Sequence, residues 1–150
     1  MRGWRQPWPL AILCHGLPAV QATTTEHGYL ALADQIVAAG FAALVFNFEG
    51  CGLSGGRLDL NAWRQDLNLI ISAAAACEQI DPRQIHLIGF SAGGAVAAAA
   101  LQQSPAAIKS LLLVATPANL AEILPSEPEK LWRHFAAIGC VPPDLPSDLK

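Results

Sequence analysis

One pentapeptide places a serine where it could act as a nucleophile. Residues 89–93 read Gly89-Phe90-Ser91-Ala92-Gly93 and fit the pattern G-x-S-x-G. Glycines two residues to either side allow a strained turn from strand to helix, and that turn lifts the hydroxyl above the end of the strand. The first amides of the helix point at the same place and favour negative charge there. The spacing predicts a nucleophilic Ser91; the alternative is a glycine-rich turn without a nucleophile.

The segments around this motif predict an α/β fold. Short apolar runs read as buried strands, because strands of a parallel sheet are covered on both faces and show no polar alternation. The predicted strands are residues 10–14, 42–48, 85–90 and 108–115, and the third helix covers residues 92–103. Right-handed connections then give one parallel sheet with helices on both faces, in three layers.

The first two helices have recognisable ends and buried faces. Thr23 to Glu26 has the spacing of a capping box, Gly40 suits a helix C-terminus, and Asp59 or Asn61 can cap the second helix. Asp81-Pro82 predicts a turn before the third strand. Helical spacing predicts these buried side chains: Tyr29, Leu32, Ala33, Ile36 and Val37, then Trp63, Leu67, Ile70 and Ala74.

The composition of the 150 residues excludes several classes of protein. Apolar residues make up 53% and charged residues 14%, which excludes a disordered chain. Nine basic against twelve acidic residues, without a basic patch, argue against a nucleic-acid partner. The apolar stretches are too short for a membrane-spanning helix of about 20 residues, and the N-terminal run is too short for a signal peptide.

The cysteines point to a reducing compartment. Cys14, Cys51, Cys77 and Cys140 form no C-x-x-C pair, so neither a metal site nor a redox pair is predicted. Without a signal peptide, reduced thiols are expected. The sequence therefore predicts a cytoplasmic protein that uses no metal and no cofactor.

The segment Cys14-His15-Gly16-Leu17-Pro18, which closes the first predicted strand, completes a resemblance. Together with residues 89–93 it resembles the α/β-hydrolase family, and most of all the branch of serine aminopeptidases, prolyl oligopeptidase-like enzymes and dienelactone hydrolases. In that family two amides form the oxyanion hole, and the resemblance assigns them to Leu17 and Ala92. The H-G histidine of the family is not its catalytic base. The residues implied as structural support of the site are His15, Gly16, Gly89 and Gly93.

Residues 47–56 resemble the D-x-R-G-x-G-x-S segment of the family, with Asn47 in place of the aspartate and Glu49 in place of the arginine. The same glycines match G-x-G-x-x-G, the dinucleotide fingerprint. That fingerprint needs a helix that opens inside the motif, whereas helical periodicity here starts after Asp59. A Rossmann-like dinucleotide-binding module is therefore the less favoured alternative.

The chain changes character after residue 116. Prolines punctuate residues 117–150, where one helix is predicted over residues 129–138. We therefore divide the chain into a partial hydrolase core, residues 1–116, and a Pro-rich segment, residues 117–150, that begins a lid, a cap or a linker. His134 follows Ser91 in the chain, but it falls in the predicted helix and is interpreted as a surface or lid residue.

These observations predict a serine hydrolase-type protein that acts on a small-molecule ester or amide through an acyl-enzyme. The family carries its acid and histidine on later strands that are not visible, and it has earlier strands that are not visible either. The chain is therefore expected to be incomplete at both ends and to self-associate through exposed sheet edges. The alternative is a non-catalytic fragment or pseudoenzyme with the same fold.

Overall fold

The computed structural model describes residues 6–18, 27–102, 108–119 and 128–138. In chain order its elements are β1 (Trp8–Cys14), α1 (His27–Ala38), β2 (Ala42–Val45), α2 (Leu60–Ala75), β3 (Ile80–Phe90), α3 (Ala92–Leu101), β4 (Ile108–Val114) and α4 (Pro128–Ala137). The predicted order of strands and helices is confirmed. The capping box predicted at Thr23 to Glu26 lies outside the described residues.

The four strands form one parallel sheet in the order β2-β1-β3-β4. β1 lies in the centre beside β3, and its residues Leu10 to Cys14 are all buried. An unbroken buried run is what coverage of both faces requires. Among the described residues β2 and β4 form the edges. At β4 the side chains of Leu112, Leu113 and Val114 are exposed.

Helices lie on both faces of the sheet, as predicted for a three-layer fold. α2 and α3 pack on each other and on the face of Leu87, where Trp63 and Val96 join the buried core. α1 lies on the other face, where the Tyr29 ring meets the Phe90 ring edge-on with the centroids 5.2 Å apart. The predicted buried face of α1 is wrong at Val37, whose side chain is 50% exposed because it lies at the edge of that face; the other four predicted residues are half-buried. Within the described ranges no helix combines the length and the apolarity needed to cross a membrane.

Helix α2 begins where the sequence predicts. Asp59 is its N-cap, and the carboxylate accepts a 2.8 Å hydrogen bond from Asn61 N–H. The predicted buried face is wrong at one position, because Ile71 is buried whereas Ile70 is half-buried at the margin. Ile71 continues the row of every fourth residue that starts at Trp63. The buried residues of the helix are Trp63, Leu67, Ile71 and Ala74.

The predicted turn at Asp81-Pro82 is instead an irregular start of β3. Ile80 already pairs with Trp8, and the register shifts before β1 and β3 pair regularly. Within this irregularity Asp81 Oδ1 accepts a 2.9 Å hydrogen bond from Arg83 N–H, which lowers the pKa of the carboxyl. Asp81 therefore makes the side-chain hydrogen bond to the backbone that is typical of a turn, but here that hydrogen bond accompanies a bulge inside a strand.

Other element ends shift by a few residues. β2 ends at Val45, where its pairing with β1 ends, although the apolar run continues to Phe48. α3 ends at Leu101, and β4 ends before Ala115, whose φ is 50°. An apolar pattern reports burial and not strand pairing, so it misses these ends. Gly40 follows α1 with a φ of 102°, as expected of a C-terminal glycine.

Candidate active site

Ser91 occupies a sharp turn between β3 and α3. Its backbone has a φ of 49° and a ψ of −123°, and Ala92 is the first residue of the helix. A positive φ at a residue with a side chain costs about 1–3 kcal/mol, so surrounding contacts must hold it. Ser91 N–H donates to the Val114 carbonyl at 2.9 Å, and Gly94 N–H donates to the Ser91 carbonyl at 3.0 Å. The expected strand-to-helix turn is present at this serine.

Glycines let separate backbones meet around this turn. A side chain at Gly93 would overlap the carbonyl oxygens of Cys14 and His15, so α3 starts directly against the end of β1. A side chain at Gly89 would overlap the backbone of Gly94 in the same way. The glycines of the motif are therefore required by close backbone approach, which is what the sequence pattern predicts.

The loop after β1 lies beside the serine. Cys14 pairs in register with Gly89, so the loop and the turn leave the sheet at the same edge. A Cβ on Gly16 would lie 3.0 Å from Ser91 Cβ and 3.6 Å from Ser91 Oγ. Gly16 therefore places no side chain of its own against the Ser91 hydroxyl. The structure thus brings together two motifs that are far apart in the sequence.

His15 is a buried polar residue that holds this loop. Phe48 N–H donates to His15 Nε2 at 3.0 Å, so the ring proton is on Nδ1. Nδ1–H then donates to the Gly16 carbonyl at 2.7 Å. The rings of Phe48 and Trp63 meet the imidazole edge-on, with centroids 5.0 and 5.3 Å away. Since a base needs a lone pair facing the nucleophile, this geometry suits support of the loop.

The two residues implied for the oxyanion hole are neighbours in sequence of residues that lie at the turn: Ala92 follows Ser91, and Leu17 follows Gly16. Ala92 is fully buried, and because it is the first residue of α3 its N–H has no acceptor within the helix. Leu17 follows Gly16 in the neighbouring loop, and its side chain packs against the core. Both residues therefore belong to segments that meet at Ser91.

A thiol close to the site is inert. Burial raises the pKa of the Cys14 thiol to about 12, so the thiol stays protonated at neutral pH and is a poor nucleophile. The described ranges also contain no group of three His, Cys, Asp or Glu side chains placed to hold a metal ion.

Glu49, which stands in place of the family arginine, is held through both its backbone and its side chain. Its N–H donates to Asp66 Oδ2 at 2.8 Å, and its carbonyl accepts from Trp63 Nε1 at 2.9 Å. Glu49 Oε1 accepts from Arg57 N–H at 3.3 Å. The loop therefore uses the carboxylate as an internal acceptor, and the substitution is accommodated.

The glycine loop does not have the geometry of a dinucleotide site. α2 begins at Leu60, beyond the whole motif at residues 50–55. The carboxylate of Asp59 already occupies the first turn of that helix. A pyrophosphate binds where free helix amides meet a glycine loop, and here the Asn61 amide already donates to a carboxylate.

His134 is not joined to Ser91. It is exposed on α4, and its ring centroid lies 5.9 Å from that of the adjacent Phe135. Across the described part of the chain, no hydrogen bond connects Ser91 Oγ with a histidine or a carboxylate.

Thr116 is a neighbour of the site that the sequence analysis did not single out. A Cβ on Gly94 would overlap Thr116 Oγ1, so the threonine packs over the start of α3. Its hydroxyl is buried and has no hydrogen-bond partner among the described residues. The signal in the sequence is the doubled glycine, Gly93-Gly94, since the second glycine also implies a close neighbour.

Curated proteins of two bacteria have related sequences. The quorum-quenching protein AidA of Acinetobacter baumannii is 32% identical over 90 residues, which cover 57% of this chain and 28% of AidA. An uncharacterized 31.7 kDa protein of Escherichia coli, from the traX-finO intergenic region, is 35% identical over 89 residues, covering 57% of this chain and 30% of that protein. The match therefore spans less than a third of each relative.

Solved structures share the fold. A sugar hydrolase from Lactococcus lactis superposes with a TM-score of 0.58 at 25% identity, covering 77% of this chain and 50% of that one. A carboxylesterase from Lactobacillus plantarum superposes with a TM-score of 0.61 at 22% identity, covering 96% and 54%.

A family model supplies the assignment. The model described as the alpha/beta hydrolase fold matches residues 9–138. That stretch contains the turn at Ser91, the His15-Gly16 loop and the parallel sheet that brings them together. The chain belongs to the α/β-hydrolase fold family.

Proposed function

We propose that this chain carries the nucleophile of a serine hydrolase, and that Ser91 forms an acyl-enzyme with a small ester or amide substrate. One observation carries the proposal: Ser91 has a φ of 49° at a turn where β3 meets α3. Such strain persists where surrounding structure imposes it, and it concentrates at functional sites. Membership of the hydrolase family supports hydrolysis as the reaction class.

The proposed chemistry assigns a role to each segment at the turn. Ser91 Oγ attacks the substrate carbonyl, and the amides of Leu17 and Ala92 hold the oxygen that becomes negative. The bond to the leaving alcohol or amine then breaks, and water later hydrolyses the acyl-serine. His15 contributes by fixing the loop that carries Leu17, through its hydrogen bonds to Phe48 N–H and the Gly16 carbonyl.

The base that accepts the serine proton is assigned to a residue outside the described ranges. A serine hydroxyl is a weak nucleophile until a neighbouring base takes its proton. Within the described ranges Ser91 Oγ has no such partner. The same observation favours the second candidate, a non-catalytic protein of this fold, and an experiment must separate the two.

The experiment is hydrolysis of p-nitrophenyl acetate by the chain, by Ser91→Ala and by Ser72→Ala. Ser72 is the matched control, because its exposed hydroxyl donates to the Asn68 carbonyl on the outside of α2. The acceleration that comes from the oxyanion hole and binding alone, about 10³–10⁴-fold over water, does not need the serine hydroxyl and should survive in Ser91→Ala. The contribution of Ser91 is therefore the difference in rate between the chain and Ser91→Ala. We expect slow hydrolysis that falls in Ser91→Ala and persists in Ser72→Ala.

Each other outcome rejects part of the proposal. Equal rates in the chain and in Ser91→Ala would reject the nucleophile and support the non-catalytic candidate. Robust turnover that disappears in Ser91→Ala would place the base within the chain. His134→Ala would then be the variant to measure next.

The cysteines support a cytoplasmic location as part of the same proposal. Cys14 and Cys77 are free thiols, and Cys14 is buried. Fractionation of cells that express the chain tests this, with recovery in the cytoplasmic fraction expected. Recovery outside the cytoplasm with these thiols oxidised would contradict it.

A further inference from the structure

A second serine lies beside a histidine on the face of the sheet that carries α1. His86 on β3 pairs with Ser110 on β4, and the distance between His86 Nδ1 and Ser110 Oγ is 2.7 Å. The register shifts between Ile85 and His86, so His86 pairs with Ser110 and not with Lys109. An irregularity in the strand pairing therefore creates this contact.

The pair opens into a small apolar cleft. The cleft has a volume of about 220 Å³, and its walls include Ile36, Phe41 and Leu112. The Phe41 ring meets the imidazole of His86 edge-on, with the centroids 5.3 Å apart and the planes at 77°. The contact restrains the histidine ring in the orientation that presents Nδ1 to the serine.

The surroundings keep the imidazole in the form that accepts a proton. Burial lowers the pKa of His86, and the charge of Lys109 lowers it further. The groups that line the cleft from β1 and α1, such as Ala11 and Ile36, are uncharged. A neutral imidazole can accept the hydroxyl proton of Ser110 at Nδ1, with its own proton on Nε2.

From this geometry we infer that Ser110 is a second acyl acceptor, with His86 as its base and aryl esters of small acids as its substrates. Ser110 Oγ attacks the ester carbonyl while His86 Nδ1 takes the hydroxyl proton. The carbonyl re-forms as the bond to the phenol oxygen breaks, and the proton passes to the departing phenolate. The products are acyl-Ser110 and a phenol, so no other reactant is needed. The apolar walls suit an aryl group, and the small volume restricts the size of the ester.

The test uses the Ser91→Ala chain, so that it does not depend on the function proposed for Ser91. The chain is treated with p-nitrophenyl acetate, and acetylated serines are located by peptide mass spectrometry. Ser72 is the control, since its exposed hydroxyl donates to a backbone carbonyl and not to a histidine. A positioned base accelerates such steps at least about 100-fold, so Ser110 should be acetylated about that much faster than Ser72.

The role of the base is tested by His86→Gln, which should reduce acetylation of Ser110 to the level of Ser72. Equal acetylation of Ser110 and Ser72 in the Ser91→Ala chain would overturn the inference. An unchanged rate at Ser110 when His86→Gln is added would overturn it too. Should His86→Gln fail to fold, the pH dependence in the parent decides the question. A rate at Ser110 that reaches half its maximum below pH 6.5 supports the inference, and a rate that still climbs between pH 8 and 9 contradicts it.

Discussion

Ser91 and Ser110 differ in what holds them. Ser91 lies on a strained turn, and its backbone is tied to Val114 and enclosed by glycines that allow close contact. Ser110 lies within β4, on a half-covered face, and its hydroxyl contacts the imidazole of His86. Ser91 lies on the strained turn, and among the described residues no histidine or carboxylate is hydrogen-bonded to its hydroxyl. Ser110 has a histidine in contact with its hydroxyl but lies on a strand and not on such a turn.

The difference shows that positioning and activation of a serine have separate physical causes. Positioning at Ser91 depends on backbones that touch, and those contacts are encoded by glycines. The activation proposed for Ser110 depends on one side-chain contact, and that contact depends on strand register. A substitution should therefore damage the two sites in different ways.

Gly93→Ala should have the largest effect, because it removes the contact that sets the Ser91 turn. The new Cβ overlaps the carbonyl oxygens of Cys14 and His15, so backbone must move, at a cost of about 3 kcal/mol in the free energy of unfolding. Gly28→Ala is the matched control, since Gly28 is also the second residue of a helix but has open space around it. That control should stabilise the chain by up to about 1 kcal/mol. Urea denaturation measures both, and similar values for the two variants would contradict the account.

His15→Phe should have the next largest effect. The change leaves the Phe48 N–H and the Gly16 carbonyl without their partner in a buried place, which costs about 1–3 kcal/mol. Replacement of the exposed His134 by alanine should change the free energy of unfolding by less than about 0.5 kcal/mol. Denaturant titration distinguishes the two. A His15→Phe variant as stable as the parent would show that the loop does not depend on this histidine.

Leu112→Lys tests whether the exposed face of β4, unlike the enclosed Ser91 turn, mediates contacts between copies of the chain. Leu112 is 56% exposed on an edge strand, so a charge there should oppose association between copies without loss of stability. Light scattering across a range of concentrations should show less self-association than in the parent. Lysine at the exposed Leu30 of α1 is the control for added charge alone. An equal reduction by both variants would mean that the β4 edge has no special role.

The smallest expected effect is a pH dependence of stability from His86. Its folded-state pKa lies below the ordinary value of 6.5, so between the two values the unfolded chain binds more protons than the folded chain. The free energy of unfolding should therefore be highest, as far as His86 contributes to it, above pH 6.5. It should fall as the pH drops from 6.5 through the lowered pKa. Subtracting the profile of His86→Gln from that of the parent isolates this contribution, which should grow as the pH rises towards 6.5. A difference that shrinks as the pH rises would contradict the sign.

The elements around Ser91 could be predicted because their signals are local. The glycines at 89 and 93 and the apolar run before them predict the turn, and the cap at Asp59 predicts the start of α2. The bulge at Asp81 and the end of β2 at Val45 could not be predicted in this way. Both features depend on where two strands stop pairing, and a run of apolar residues in the sequence does not indicate that position.

The contact of His86 with Ser110 was missed for a related reason. The residues are 24 apart in the sequence, and their contact requires the register shift at Ile85 and His86. A regular register would place Lys109 opposite His86 instead. The Leu17 and Ala92 roles and the division of the chain at residue 116 stay predictions.

Covalent labelling of the unmodified chain by a fluorophosphonate tests the central claim about Ser91 most directly. The adduct is located by peptide mass spectrometry and compared with that on the exposed Ser72 of α2. We expect an adduct on Ser91 in clear excess over Ser72, and its loss when the chain is unfolded in urea before labelling. An adduct on Ser91 that is no greater than that on Ser72, or one that survives unfolding unchanged, would contradict the assignment of Ser91 as a nucleophile.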